Sequence, residues 1–213
     1  MKGRFHGSRN GAAEVRGMFG NLPTMTPPES LDERTIMLFQ LEIRRQAIYA
    51  RIAIGDMRSA LPDPDQKMRF WYSVDAALGA LARLGDILWP KRTHNGAGAR
   101  ADQLRAHFAI EDLPVLQAKE TRNSFEHFAE RIDAWSRESV SQDFADTSFG
   151  DPRMMGLDGG DIARTYHQDR DAIEVFGSEI SLAEATQAIN KIMRLVPDPH
   201  EVLLRANGVE PEP

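Results

Sequence analysis

Arg122-Asn123-Ser124-Phe125-Glu126-His127 stands inside a segment that reads as one long helix from about Pro114 to Ser139. Phe125, Phe128, Ile132 and Trp135 recur at spacings of three, four and three, which predicts one apolar stripe on an amphipathic helix. At about 100° per residue, Arg122, Asn123, Glu126, His127 and Glu130 fall on the opposite arc. One face is therefore expected to pack, and the other to carry a guanidinium, an amide, carboxylates and an imidazole. Arg122 and His127 are expected to lie ~140° apart around the axis and ~7.5 Å apart along it. They do not share a ridge as i and i+4 neighbours do. A twofold packing of this helix on its copy would gather two arginines and two histidines around one phosphate.

On the N-terminal side, Ser30 and Glu33 form a capping box at the head of a helix reaching about Met57, with Leu38, Leu41, Ile48 and Ile52 in helical spacing. Pro62-Asp63-Pro64-Asp65 breaks the chain and reads as a capped turn rather than a cation site. A second helix is expected from Gln66 to about Trp89, with Val74, Leu78, Leu81, Leu84 and Leu88 on one face and Pro90 as the stop. Phe70, Trp71 and Tyr72 on it read as core or interface packing. Two antiparallel helices joined by a short proline turn begin a bundle. A shorter helix is expected from Ala99 to Phe108, and Pro114 suits the first turn of the long helix.

On the C-terminal side, residues 140–161 carry Gly150, Pro152, Gly156, Gly159 and Gly160 and read as an irregular connection. Ile162–His167 and Ala172–Phe176 read as the two strands of a hairpin around Gln168-Asp169-Arg170-Asp171. Ser181 and Glu184 repeat the capping box. Leu182, Ala185, Ile189, Ile192 and Val196 then mark a helix that Pro197 and Pro199 end, followed by a helical turn closing at Asn207-Gly208.

The expected fold is mainly α, an antiparallel helical bundle with a small β-hairpin near the C-terminus. Residues 1–28 form a flexible, mildly basic arm, 29–142 the bundle, and 143–213 a loop, hairpin and C-terminal helix packed on the same domain.

A formal charge of -6 argues against coating nucleic acid through bulk positive potential, though not against a local basic cleft. The absence of cysteine removes disulfides, thiolate zinc sites and cysteine nucleophiles. No apolar run approaches the ~18 residues of a membrane span, and no secretory h-region opens the chain. A cytoplasmic protein without membrane partners is expected.

Arg122-Asn123-x3-His127 in a bundle helix resembles the signature of the HEPN superfamily, in which Arg, a polar residue and His are spaced R-x4-6-H. The resemblance covers residues 29–142. It implies a helical bundle, a homodimer whose two motifs meet in one cleft, and metal-independent endoribonuclease activity, in a toxin or defence setting. Arg100 to His107 and Arg194 to His200 also match the loose spacing. The second crosses two prolines and cannot be one helical face, and the first lacks a polar residue after its arginine. In one toxin subgroup a tyrosine that an antitoxin modifies follows two residues after the histidine. Here that position is Ala129, so an antitoxin partnership would take another form.

Such chemistry needs no cofactor and no metal, because RNA supplies its own 2′-hydroxyl nucleophile. His127 supplies an imidazole, a group whose reference pKa of about 6.5 suits general acid or base work near neutral pH. Arg122 stays charged and can brace the phosphorane. Asn123 can orient the phosphate or bond the imidazole, while Glu126 either tunes a histidine or pairs with Arg122 at i+4. The other histidines show no H-x3-H or H-E-x-x-H spacing, which gives no metal site from sequence. The expected partner is RNA, DNA is not, and an antitoxin or other protein partner stays open. So do two further readings: a non-catalytic module binding RNA or a protein through the same face, and an ordinary solvated charged face.

Overall fold

The computed structural model describes residues 30–61, 63–91, 96–118, 127–150, 156 and 161–200. The arm, Arg122, Asn123, Phe125, Glu126 and the helical turn closing at Asn207-Gly208 lie outside them. The described chain is mainly helical, with a small four-stranded sheet toward the C-terminal side.

Helix α1 (Glu33–Ala60) is capped by Asp32, whose carboxylate accepts from the Thr35 amide, and not by Ser30 as the capping-box pattern suggested. After a short 3-10 turn (Pro64–Gln66), begun by Asp63 bonding the Asp65 amide, α2 (Lys67–Leu88) packs along α1. The expected α2 face is the core: Val74, Leu78, Leu81, Leu84 and Leu88 are all buried. On α1 a different stripe wins. Ile43, Ala47, Ala50, Ile54 and Met57 face the core, whereas Leu38, Leu41 and Ile52 are exposed. Alanines 47, 50 and 53 present little side chain, so α2 can approach closely along that face. An apolar helix with two candidate stripes is decided by its neighbours rather than by its own period.

Helix α3 (Ala97–His107) begins at Gly96, whose φ of 76° is the left-handed conformation that glycine reaches freely. Two of its arginines close the end of α2. Arg100 donates to the Asp86 and Ile87 carbonyls, and Arg105 to that of Leu88, satisfying groups a helix leaves open at its C-terminus. Arg100 also lies over the Phe39 ring at 5.0 Å.

The expected continuous helix from Pro114 to Ser139 is corrected. Helix α4 (Pro114–Gln117) ends at Ala118, where ψ of 99° leaves the helical region, and α5 (Phe128–Glu138) starts only after His127. His127 has φ -107° and ψ 37°, so it precedes the helix instead of lying within it.

Residues 140–161, expected to be irregular, contain strand β1 (Ala145–Phe149). It pairs parallel with β2 (Ile162–His167), which pairs antiparallel with β3 (Ala172–Val175), and that with β4 (Ser178–Ser181). The expected hairpin is thus the middle of a mixed sheet in the order β1-β2-β3-β4. Helix α6 (Leu182–Leu195) follows the Ser181 cap as expected, the hydroxyl accepting from the Glu184 amide, and buries Leu182, Ala185, Ile189 and Ile192. Arg44 of α1 donates to the Met193 and Val196 carbonyls and so closes the end of α6.

Tyr166, Ile173, Val175 and Ile180 face one way into the core, where Phe70 meets Phe149 at 5.0 Å and Tyr166 at 5.1 Å. Thr165, Glu174 and Glu179 occupy the other side of their strands, as the pairing Thr165↔Glu174↔Glu179 requires. No helix among the described residues is long and apolar enough to cross a membrane.

Candidate functional site

The head of α5 is held by its first residue. Phe128 meets the Phe176 ring at 5.1 Å, and the Arg164 guanidinium lies 4.5 Å above its centroid. Arg164 in turn approaches Asp146 of β1 at 3.0 Å and Asp75 of α2 at 3.7 Å. One guanidinium on β2 therefore ties α2, β1 and α5 together. Burial raises the Asp75 carboxyl above the usual range; Arg164 works against that shift and Asp146 adds to it.

His127 precedes this anchored turn and its side chain is 57% exposed, with Nδ1 3.4 Å from Glu130 Oε1. The Glu130 carboxyl is held below its ordinary value by its own backbone amide first, then by His127. The carbonyl of His127 accepts from the Arg131 amide, making the first bond of the helix. Of the residues singled out in the sequence, His127 and Glu130 thus stand at an exposed helix head, while Arg122, Asn123 and Glu126 lie outside the described residues. The stripe expected behind them is half-buried at Phe128, Ile132 and Trp135. The competing Arg100 to His107 pattern is structural, since Arg100 is spent on the end of α2.

The other end of α5 is fixed by Asp161, which the sequence did not single out. Its carboxylate accepts from Trp135 Nε1 at 2.9 Å, Ser139 Oγ at 2.8 Å and Ser141 Oγ at 2.7 Å. These bonds, Ser141's first, hold its carboxyl below the ordinary range. A cleft of about 500 Å³ lies between α5 and the β3–β4 turn, lined by Arg131, Trp135, Glu138, Asp161, Glu174 and Phe176 among others.

Behind Glu174 the sheet brings together three residues that no local spacing links. His167 Nε2 is 2.8 Å from Glu174 Oε2, and Glu179 stands directly opposite Glu174 on β4. One donor atom from each of the three lies within 4.8 Å of the others, and no second group of this kind occurs among the described residues. Arg170 puts Nε at 2.9 Å and Nη2 at 2.7 Å from Glu179 Oε2, which holds that carboxyl low. The signal for this cluster is the register of two consecutive tight turns. The second of them, Phe176-Gly177, was illegible because a phenylalanine occupies a left-handed position, φ 46°, where asparagine is the usual cue.

A second cleft, of about 420 Å³, runs between α1 and α2 and is lined by Tyr49, Ile52, Asp56, Tyr72, Gly79 and Arg83 among others. Leu38, Leu41, Tyr49, Ile52, Met68 and Tyr72 are exposed on these two helices, Tyr72 by 75%.

Comparison of the chain with protein-family models, with curated proteins and with solved structures finds no match.

Proposed function

We propose that this protein is a metal-independent endoribonuclease of HEPN type, acting as a homodimer of antiparallel helical bundles. Arg122, Asn123 and His127 of the two copies would close on one RNA phosphodiester. The observation that carries this reading is the placement of His127: a solvent-accessible imidazole at the head of a helix whose first residue is clamped by Arg164 and Phe176. An accessible imidazole on a fixed backbone is what proton transfer to or from a ribose or a leaving oxygen needs.

In the reaction, a base takes the 2′-hydroxyl proton as that oxygen attacks the adjacent phosphorus. The P–O5′ bond breaks, an acid protonates the 5′-oxygen, and a 2′,3′-cyclic phosphate remains. The histidines of the two subunits would divide these proton transfers, with Arg122 stabilising the equatorial oxygens and Asn123 orienting the phosphate. Glu130, within reach of His127, would help orient the imidazole for the acid role. Glu126 keeps a secondary role in tuning the imidazole or pairing with Arg122. The apolar residues exposed on α1 and α2 supply a surface for a second copy. A toxin or defence setting, with RNA as substrate and a protein antagonist as partner, belongs to this proposal.

The test is incubation of the purified chain with RNA in excess chelator, beside Arg122→Ala and His127→Ala. Cleavage that survives chelation, leaves a cyclic phosphate and falls by at least about 100-fold in both variants supports the nuclease. RNA binding of equal strength in all three proteins, with no cleavage, would replace it with a non-catalytic binding module.

A further inference from the structure

We propose that His167, Glu174 and Glu179 form a binding site for a first-row transition-metal dication, for which zinc is the probe. One imidazole nitrogen and two carboxylates are a donor set that suits such an ion, at bond lengths of about 2.0–2.2 Å. In the structure one atom of each side chain already lies within 4.8 Å of the others. Small rotations about the glutamate side chains would bring them to the spacing that ligands of one ion share.

Three features favour an ion over an ordinary histidine–glutamate pair. The first is rigidity: the three ligands stand on three successive strands, β2, β3 and β4, whose register is fixed by ladder pairing. The second is charge. Glu174 and Glu179 are directly opposed across neighbouring strands, where like charges destabilise a sheet. Arg170 answers the Glu179 charge from one oxygen, leaving a net negative site when His167 is neutral. A carboxylate has two oxygens and several lone-pair directions, so Glu179 can keep Arg170 and still ligate. The third is access with partial burial. His167 is 8% exposed in its side chain and Glu174 26%, while Glu174 lines the cleft beside α5. An ion could enter from that cleft, hold its three protein ligands at the sheet, and keep its remaining positions for water or another ligand in the cleft. Arg170 acts as a positioning residue, orienting Glu179 toward β3.

The site is separate from His127 and its occupation is measured without any cleavage assay, so it stands or falls independently of the ribonuclease. The full-length chain, stripped with chelator and dialysed, would be titrated with zinc chloride by calorimetry, with metal content checked by elemental analysis. One ion per chain is expected in the wild type. Binding weaker by at least about tenfold is expected in both Glu174→Gln and Glu179→Gln. Zinc should raise the melting temperature of the wild type by several degrees and that of Glu179→Gln by clearly less at the same concentration. Glu179 is exposed on the edge strand β4, so this variant should keep the native circular dichroism spectrum. No saturable zinc binding would overturn the assignment and leave a plain His167–Glu174 hydrogen bond. Binding that is equally tight in both glutamine variants would overturn it too, placing the ion on histidines elsewhere in the chain.

Discussion

Arg164→Ala removes a side chain that joins α2, β1 and the head of α5, and its cost can be built from the contacts. The guanidinium is 17% exposed and 4.5 Å from the Phe128 centroid, a partly desolvated cation–π contact worth about 1 kcal/mol. Asp75 is 40% exposed, so its pair with Arg164 is screened well short of a buried pair and contributes about 0.5–1 kcal/mol. The Asp146 partner is 60% exposed and adds close to nothing. The total is about 2 kcal/mol, a fall in melting temperature of roughly 4–8 °C for a chain of this size. The variant also leaves Asp75 without its offsetting charge. Because burial raises the folded pKa of Asp75, the folded state binds a proton more readily than the unfolded one. Stability therefore declines as pH rises through that raised value, and the ionised carboxylate is a liability at neutral pH. Asp75→Asn alone should be neutral or slightly stabilising at pH ~7. Combined with Arg164→Ala, it should recover about 0.5–1 kcal/mol. Urea and thermal unfolding of the four proteins measure this cycle. Additivity within about 0.3 kcal/mol, or an Arg164→Ala melting temperature within about 1 °C of wild type, would refute the clamp.

Asp161→Asn should flatten part of the acid limb of stability. The folded carboxyl is held low by Ser141, Trp135 and Ser139, so its contribution is complete above the unfolded value of 3.8 and is lost as pH falls through the lower folded value. Urea midpoints taken from about pH 5 to about pH 2 should converge between variant and wild type at the acid end. The Tyr166 hydroxyl is pushed up to about 12, by burial first and then by Asp171. Stability should therefore drop as pH climbs from the ordinary tyrosine value toward about 12, and Tyr166→Phe should remove the latest step of the phenolate absorbance titration. Leu84 is fully buried between the main helices, and Leu84→Ala should cost about 2–5 kcal/mol in urea unfolding with little change in far-ultraviolet circular dichroism.

The local rules were legible wherever one residue type has one role. Proline placement fixed the turn at Asp63 and the stop of α6, and Ser181 with Glu184 marked the head of α6 to the residue. The leucine face of α2 and the central hairpin, Ile162 to Val175, were also readable, because each has a single apolar period. Where two periods or two turn chemistries competed, the chain by itself did not decide. Helix α1 carries two apolar stripes and packing chose the one with small residues, since only that one admits α2 at close range. Strand β1, Ala-Asp-Thr-Ser-Phe, lacks alternation strong enough to read, and exists because β2 offers it a parallel edge. The run from Pro114 to Ser139 keeps a helical period on paper, yet the backbone departs from helical geometry at Ala118 and again at His127.

The sequence by itself determined that this chain is mainly helical, that it has no cysteine chemistry, and that an amphipathic helix with an apolar stripe at Phe128, Ile132 and Trp135 precedes Ser139. Only the tertiary structure decided that the Arg164 guanidinium anchors that helix, that Asp161 holds its far end, and that His167, Glu174 and Glu179 meet. The reason is physical: helix periodicity is a property of neighbours a few residues apart, which the chain order records. Ion pairs and ligand sets instead depend on strand register and on which face of a helix wins the core, and both are settled only when distant segments compete for the same buried space.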